Sequence, residues 1–252
     1  MKVTVITAAY NSASTIRDTL ESVVGQDYPY VEYIVIDGRS SDETLNIIKK
    51  YSNRITKIIS EPDQGIYDAI NKGIRAASGD IIAILHADDV YAHPQVLSRV
   101  VQTMQSNHVD AVYGDLLYVQ RDHPDKVVRH WKSGSYHHGR FLKGWMPPHP
   151  SFFLKLSCYE KHGTYTDKLF SAADYELMLR MLHKYRVSVA YLPEVLVRMR
   201  VGGVSNKSLK NRIRANREDR EAWRMNGLHP GLLTLIRKPL SKLKQFIFKW
   251  RA

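Results

Sequence analysis

Carboxylates follow apolar runs at two places in the first ninety residues of the chain. Asp37 comes directly after the run Tyr33–Ile36, and the adjacent pair Asp88 and Asp89 comes shortly after Ile81–Leu85. Two neighbouring carboxylates repel each other, and a hard divalent cation such as Mg²⁺ or Mn²⁺ relieves that repulsion. Such a cation keeps coordination positions open for substrate phosphates. The pattern therefore predicts a metal site at Asp88 and Asp89 that binds a diphosphate.

A further carboxylate, Asp174, lies near the start of a predicted helix, Ala172–Tyr185. Leu177 and Met178 follow it at helical spacing, so Asp174 would stand at the top of an apolar face, partly desolvated. A carboxylate in such a position suits a general base that activates a hydroxyl group. The alternative interpretation is an ordinary first-turn acid, favoured by the helix dipole.

The polar residues after Asp37 have a simpler explanation. Ser40, Ser41 and Asp42 are typical helix caps. Ser40 and Glu43 have the spacing of a capping box, which predicts a helix from Ser40 to Tyr51. Capping does not explain Asp37, which precedes a glycine, or the pair after Ile81–Leu85.

Short β-branched runs alternate with helical periods in the first half of the chain. Strands are predicted at Val3–Thr7, Tyr33–Ile36, Ile55–Ser60 and Ile81–Leu85. Helices are predicted around Ile16–Val24, at Ser40–Tyr51 and at Ile66–Ala77. Alternation with such short connections predicts an α/β fold, with a mostly parallel sheet and helices on both faces. The polar clusters would then meet at the carboxyl edge of the sheet, where ligands bind.

The second half of the chain alternates less regularly. A loop rich in glycine, histidine and proline is predicted at 133–150, over a site. The other predicted elements are a helix at Pro94–Ser106, strands at Ala111–Val119, Val127–Trp131, Val187–Leu192 and Val195–Arg200, and basic helices at 208–226 and 232–250.

Composition limits the class of protein. The chain has 252 residues and one cysteine, Cys158, so neither an internal disulfide framework nor a cysteine-built zinc site is expected. No apolar run approaches the roughly 18 residues of a membrane span, and the N-terminus does not read as a signal peptide. A reduced, cytoplasmic protein is expected. The net charge is +12, and residues 200–252 carry 14 basic and 3 acidic side chains. Such a tail suits an anionic surface.

Five segments together resemble the successive signatures of family 2 glycosyltransferases. They are Val5–Asn11, Ile36–Thr44, Gly65–Gly73, Leu85–Asp89 and Ala172–Arg180. The resemblance runs in order from residue 3 to about residue 205. It implies a GT-A fold of residues 1–205, with a nucleotide-sugar-binding half (1–110) and an acceptor-side half (111–205), followed by a basic helical tail (206–252). It also implies inverting transfer of a sugar, in bacterial polysaccharide biosynthesis.

The resemblance also implies roles for individual residues. The family positions that line the nucleotide pocket fall on Thr7, Ala8, Ala9, Tyr10, Asn11, Asp37, Asp63, Lys72 and Asp88. Asp37 would accept a hydrogen bond from the base, usually uracil. Asp88 and Asp89 would correspond to the metal-binding region and Asp174 to the general base. His86 stands where the family commonly has an acidic or amide residue. Contacts with the acceptor or the diphosphate fall on His149, Trp145 and Arg200.

The tail carries an apolar stripe at helical spacing, formed by Ile236, Leu240, Leu243, Ile247 and Trp250. Surrounded by lysines, this stripe favours a peripheral helix on the inner face of the plasma membrane, which would suit a lipid-linked saccharide acceptor. The alternative is a helix packed on the catalytic domain.

Two other functions stay open. A nucleic-acid-binding protein would explain the charge, although no nucleic-acid motif is present, and a nucleotidyltransferase would share the fold but require a glycine-rich phosphate loop.

Overall fold

The computed structural model describes residues 1–202, 209–231 and 234 of the chain. In this part of the chain nine strands form one sheet. In chain order they are β1 (Val3–Ala9), β2 (Val31–Asp37), β3 (Lys57–Ser60), β4 (Ile81–Ile84), β5 (Asp89–Tyr91), β6 (Ala111–Val119), β7 (Val127–Trp131), β8 (Phe152–Lys155) and β9 (Val189–Arg200).

The first four strands form the parallel half of the sheet. The strand order is β3-β2-β1-β4-β8-β6-β9-β5, and β7 pairs with β6. Strands β1 to β4 pair in parallel, as do β6 and β9. Strand β8 is antiparallel to both β4 and β6, so β6 points the same way as β4. The carboxyl ends of β1 to β4 and of β6 therefore lie at one edge, where ligands bind in such sheets.

Helices cover both faces of the sheet. They are α1 (Ile16–Val24), α2 (Thr44–Lys49), α3 (Ile66–Ala76), α4 (Val96–Ser106), α5 (Leu156–His162), α6 (Ala173–Met178) and α7 (Leu209–Met225). Helices α3, α5, α6 and α7 share one apolar core with Ile34 and Ile36 of β2, and α1, α2 and α4 share the other with Tyr33 and Val35. This alternation is the period of two of a strand buried on both faces. The predicted α/β architecture is confirmed.

Three predicted elements differ from the observed ones. The capping box is wrong, because α2 begins at Thr44, whose backbone N–H donates to Asp42 Oδ1 (3.0 Å), while Ser40 Oγ accepts from Asn11 N (2.9 Å). The two strands predicted at 187–192 and 195–200 form the single strand β9, whose register against β6 shifts near Asp115. Helix α6 continues as a π-helix over Leu179–Lys184.

A buried carboxylate stabilises the amino edge of the sheet. Glu32 on β2 accepts hydrogen bonds from Thr4 Oγ1 (2.6 Å), Ser78 N (2.7 Å) and Ser78 Oγ (2.7 Å), and it pairs with Lys2 (3.3 Å). Burial acts to raise the pKa of Glu32, but the hydrogen bonds from Thr4 and Ser78 outweigh it and lower the pKa to about 2. Glu32 is therefore ionised at neutral pH and ties β1, β2 and the loop before β4 together.

Helix α7 follows the predicted domain boundary between residues 205 and 206 in the sequence, and it packs on α6. Ala222 and Trp223 are fully buried in the same core as α6. The predicted helix at 208–226 agrees with α7, whereas most of the helix predicted at 232–250 lies outside the described residues. Among the described helices, none combines the length and the apolar character that crossing a membrane requires.

Candidate active site

The loops after β2 and β3 form a compact acidic pocket. Asp37, at the end of β2, is fully buried and accepts hydrogen bonds from Ser60 Oγ (2.6 Å) and Ser40 N (3.3 Å). Asp63 lies beside Gly38, so closely that a Cβ atom at position 38 would be 2.2 Å from Asp63 Oδ2. The missing side chain of Gly38 therefore lets the second carboxylate approach Asp37.

The loop after β1 closes one side of this pocket. Asn11 adopts a left-handed conformation (φ 46°), and its Oδ1 accepts from Ser41 N (2.9 Å), which joins this loop to the one after β2. Tyr10 is 64% exposed. Thr7, Ala8 and Ala9 are buried within β1, and the Thr7 hydroxyl hydrogen-bonds to Tyr33 Oη (3.1 Å). Of the five residues predicted here, Tyr10 and Asn11 thus lie at the surface.

Lys72 on α3 supports the loop that carries Asp63. Its ammonium group donates to the carbonyl oxygen of Pro62 (2.6 Å) and pairs with Glu61 (2.9 Å) and Asp68 (3.5 Å). The hydrogen bond with Glu61 raises the pKa of Lys72. This side chain therefore holds the 61–63 loop against α3.

The two adjacent carboxylates after β4 differ in their surroundings. Asp88 is partly exposed and lies 3.9 Å from Arg121, whereas Asp89 is fully buried at the start of β5. Among the described residues, no side chain donates a hydrogen bond to either carboxylate oxygen of Asp89. Burial, reinforced by the charge of Asp88, raises the pKa of Asp89 well above its usual range, although the backbone N–H and the charge of Arg200 oppose the shift. A buried carboxylate without a side-chain partner, beside an accessible carboxylate, is a donor set that suits a cation.

No group of three or more His, Cys, Asp or Glu side chains capable of holding a metal occurs in the described part of the chain. The carboxylates of Asp88 and Asp89 are a donor set for Mg²⁺ or Mn²⁺ held by one or two carboxylates and completed by phosphate oxygens, which is how Mg²⁺ commonly binds. They do not fit a closed structural site, which needs about four protein ligands.

Arg200 is buried behind the loop that carries Asp88 and does not lie on its surface. Its guanidinium is buried and donates to the backbone carbonyl oxygens of Asp88 (3.0 Å) and Arg121 (3.2 Å), and it pairs with Asp18 of α1. This bidentate use of the backbone fixes the position of Asp88 from the end of β9.

His86 lies within the electrostatic influence of both Asp88 and the predicted base, Asp174. Burial lowers the pKa of His86, and the negative charges of Asp88 and Asp174 both oppose that effect. Both carboxylates are thus close enough to act on the same imidazole. The ring of His149 lies 5.6 Å from that of His86, and burial together with His86 lowers the pKa of His149 to about 3. His149 is therefore neutral at physiological pH.

Asp174 is held by α6 and by a tyrosine from α3. Its Oδ1 accepts a hydrogen bond from Tyr175 N (2.7 Å) and lies 3.5 Å from Tyr67 Oη. The ring of Tyr67 stacks on Tyr165 (5.7 Å), whose hydroxyl bonds to His149 Nε2 (2.7 Å). Asp174, Tyr67, Tyr165 and His149 thus form one connected set beside His86.

The sequence model of the family "Glycosyl transferase family 2" matches residues 4–171, two-thirds of the chain. The chain belongs to glycosyltransferase family 2. A glycosyltransferase of Mycobacterium tuberculosis is 32% identical over 180 residues, which are 71% of this chain and 68% of that protein. A "PGL/p-HBAD biosynthesis glycosyltransferase" of Mycobacterium bovis is 27% identical over 207 residues, 80% of this chain and 78% of the relative.

Solved structures confirm the GT-A fold of this glycosyltransferase. TarS 1–349 of S. aureus, in complex with UDP-GlcNAc, superposes with a TM-score of 0.72 at 19% identity over 90% of this chain and 65% of the TarS chain. This chain thus spans slightly less than two-thirds of that TarS chain. A mannosyltransferase of Pyrobaculum calidifontis, in complex with GDP-Man and Mn²⁺, gives a TM-score of 0.65 at 18% identity over 96% of this chain and 73% of its own.

Trp145 is packed against other residues of the 133–150 segment. Its indole N–H donates to the carbonyl oxygen of Ser133 (2.8 Å), and its ring stacks on Tyr136 (5.3 Å). The guanidinium of Arg140 lies over the same ring, 4.7 Å from its centroid. These contacts account for the partial burial of Trp145.

Three tyrosines were not predicted as site residues. Tyr67 and Tyr165 belong to the set around Asp174. The third is Tyr118, whose pKa the negative charges of Asp89 and Asp174 both act to raise. Burial raises the pKa of Tyr118, and the guanidinium of Arg129, 4.3 Å from its ring, opposes the shift. Tyr67 falls inside the segment Gly65–Gly73, which the family resemblance had marked. Nothing in the sequence marks Tyr118 or Tyr165.

Proposed function

We propose that this glycosyltransferase moves a sugar from a UDP-sugar to a hydroxyl group of a saccharide acceptor, with inversion at the anomeric carbon. The observation that carries the proposal is the arrangement around His86, on which both Asp88 and Asp174 act electrostatically. A carboxylate suited to the diphosphate region and one suited to a general base thus act on the same imidazole. That is the arrangement that in-line displacement at an anomeric carbon requires.

In the proposed reaction, Asp174 acts as the general base. The acceptor oxygen forms a bond to the anomeric carbon, and the bond from that carbon to the diphosphate oxygen breaks with its electron pair leaving on UDP. The proton of the acceptor hydroxyl passes to the Asp174 carboxylate. Because an alcohol is a poor nucleophile, such a base contributes roughly 10²- to 10⁴-fold to the rate. Hydrogen bonding from Tyr175 N, with Tyr67 nearby, orients Oδ1.

The donor-binding residues of the proposal are those of the acidic pocket. Asp37 and Asp63 would accept hydrogen bonds from the base of the nucleotide, with Tyr10, Asn11 and the adjoining β1 residues lining the pocket. The complex of TarS with UDP-GlcNAc supports a UDP-sugar, and a hexosyl or N-acetylhexosaminyl group follows from the same likeness. The mannosyltransferase that binds GDP-Man makes a guanine nucleotide the competing donor.

Asp88, with Asp89 behind it, would hold a Mn²⁺ or Mg²⁺ ion. When bound, such an ion neutralises the negative charge that develops on the departing diphosphate. The complex of the mannosyltransferase neighbour with Mn²⁺ supports this assignment. Arg200 supports the backbone of Asp88, and His149 lies next to His86, where it would face the diphosphate or the acceptor.

Nucleotide binding tests the donor half of the proposal. Ligands that bind the folded state raise its melting temperature by mass action. We expect UDP to raise it more than GDP, dTDP or CMP, and to raise it further when Mn²⁺ is present. Asp88→Asn should abolish the metal-dependent part of the shift. No shift with any of the four nucleotides at millimolar concentration would refute the donor site.

Asp174→Asn tests the base. We expect turnover of UDP-GlcNAc or UDP-glucose, measured as UDP release with octyl glycosides as acceptors, to fall by roughly 10²- to 10⁴-fold. The shift produced by UDP and Mn²⁺ should stay at the wild-type value, because the variant leaves the nucleotide pocket intact. A variant that keeps the wild-type rate would exclude Asp174 as the base.

We also propose that the acceptor is lipid-linked, in cell-envelope polysaccharide synthesis, and that the protein docks on the cytoplasmic face of the membrane. Exposed arginines on α7 support this: the side chains of Arg217, Arg220 and Arg224 are exposed, whereas Trp223 of the same helix is buried. The relative named for PGL/p-HBAD biosynthesis is also in keeping with it. Replacing the three arginines with glutamine should reduce co-sedimentation with vesicles containing phosphatidylglycerol. Equal binding to neutral phosphatidylcholine vesicles would contradict the proposal.

A further inference from the structure

Helix α7 makes a set of polar contacts with the segment that carries Asp174. Helix α7 and helix α6, which carries Asp174, both lie beyond residue 171, where the match to the family model ends. Glu218 Oε2 accepts hydrogen bonds from Ser171 N (2.7 Å), Ser171 Oγ (3.0 Å) and Ala172 N (3.1 Å). Ala172 is the residue at the start of α6, two positions before Asp174. Glu218 therefore satisfies backbone N–H groups that the beginning of a helix leaves without a partner.

Two more contacts reach the residues of α6 that directly follow Asp174. Trp223 Nε1 donates to Tyr175 Oη (2.9 Å), and Nδ2 of Asn226, the residue after α7, donates to Glu176 Oε1 (2.9 Å). Glu218, Trp223 and Asn226 are buried or half-buried. Residues 171, 172, 175 and 176 are thus each contacted by α7 or the residue that follows it, and Asp174 lies between them.

Glu218 is well prepared for this contact. Arg214, one turn earlier on α7, donates to Glu218 Oε1 (2.8 Å), so both carboxylate oxygens are in use. Burial acts to raise the pKa of Glu218, but the hydrogen bonds from Ser171 and Arg214 outweigh it, and the net effect is a lower pKa. The charge of Glu218 also acts on Tyr67, the tyrosine beside Asp174.

We infer that α7 positions the general base, and that Glu218 is the positioning residue through which it acts. This inference rests on the proposed role of Asp174. Glu218 fixes the backbone at 171–172, directly before the turn that carries Asp174. It therefore keeps the Asp174 carboxylate in line with the acceptor hydroxyl. A displacement of about 1 Å in a reacting group can cost on the order of 100-fold in rate. Helix α7, which lies beyond the family match, is then part of the structure that positions the base.

Glu218→Ala removes all the contacts with Ser171 and Ala172, whereas Glu218→Gln keeps an oxygen that can accept from their N–H groups. We expect kcat for UDP release to fall roughly 10- to 100-fold in Glu218→Ala and by a smaller factor in Glu218→Gln. The KM for the UDP-sugar and the melting shift given by UDP with Mn²⁺ should not change. Hydrogen exchange at the amides of 171 and 172 should accelerate in Glu218→Ala.

Glu221→Ala is the matched control, because Glu221 lies on the same helix and pairs with the exposed Arg224 (2.9 Å). It should leave kcat and the exchange of 171–172 at wild-type values. The inference is overturned if Glu218→Ala keeps kcat within twofold of wild type. It is also overturned if Glu218→Gln has a wild-type melting curve but loses nucleotide binding together with kcat, since the contact would then not act through the base. Asp174→Asn, measured alongside, distinguishes this failure from that of the base assignment itself.

Discussion

Gly38→Ala should weaken nucleotide binding while leaving the fold intact. The added Cβ would lie 2.2 Å from Asp63 Oδ2, and real Cβ atoms essentially never approach a neighbour closer than 3.0 Å. The carboxylate of Asp63 must therefore retreat by about 0.8 Å or more. A hydrogen bond of about 2.9 Å that lengthens by this amount falls outside the range of effective hydrogen bonds.

The size of the effect follows from the bond that is lost. A hydrogen bond to a charged group contributes about 1.5–3 kcal/mol. Since about 1.4 kcal/mol corresponds to a factor of ten, the Kd for UDP should rise roughly 10- to 100-fold. The stability cost should be small, because the atom displaced is the end of a flexible side chain and alanine also reduces the entropy of the unfolded chain, worth about 0.4–1 kcal/mol.

Titration calorimetry with UDP and Mn²⁺ measures the Kd, and a melting curve checks the fold. Gly25→Ala is the control, because Gly25 is exposed and has an ordinary negative φ of −85°. It should bind UDP as the wild type does. If Gly38→Ala binds UDP within twofold of wild type and remains folded, Asp63 does not contact the nucleotide and the donor pocket is assigned wrongly.

Three further predictions concern the framework of the site. The pKa of Glu32 is lowered from 4.5 to about 2. Its ionisation therefore stabilises the fold by about 3 kcal/mol above pH 4.5, and this stabilisation is lost as the pH falls towards 2. In urea unfolding, the stability difference between wild type and Glu32→Gln should therefore shrink by about 2 kcal/mol between neutral pH and pH 3, and a constant difference would contradict the assigned ionisation. Gly73→Ala would place a Cβ 2.4 Å from Ile6 Cγ2 in the core. The free energy of unfolding should therefore drop by about 1–2 kcal/mol, although alanine has the better helix propensity. An unchanged free energy of unfolding would show that β1 and α3 can move apart to accommodate the methyl group. Arg200→Lys removes the planar guanidinium that holds the backbone of Asp88. If Asp88 holds the metal as proposed, UDP affinity in Mn²⁺ should fall several-fold, whereas affinity in EDTA should not change. Equal losses in both conditions would show that Arg200 does not act through Asp88.

The sequence by itself determined the parallel half of the fold and the residues at its carboxyl edge. Strands of β-branched residues separated by helical periods predict β1 to β4, because the two periods are local properties of the chain. Parallel strands bring their carboxyl ends to one edge, so the convergence of Asp37 and Asp88 followed from the order of elements alone. The capping box at Ser40 failed, because the hydroxyl that the motif reserves for its own helix is used by the backbone of Asn11 on a neighbouring loop.

Only the tertiary structure decided which distant side chains complete the site. Tyr165 reaches His149, Arg200 at the end of β9 fixes Asp88 and Asp18, and Glu218 on α7 fixes the segment before Asp174. These pairs are up to 182 residues apart in the chain, and no periodicity links them. The distinction between Asp88 and Asp89 has the same origin. The two residues are identical in type and adjacent in sequence, but one is partly exposed and the other is buried by the pairing of β5 with β9. Burial is a property of the packed chain, and it raises the pKa of Asp89.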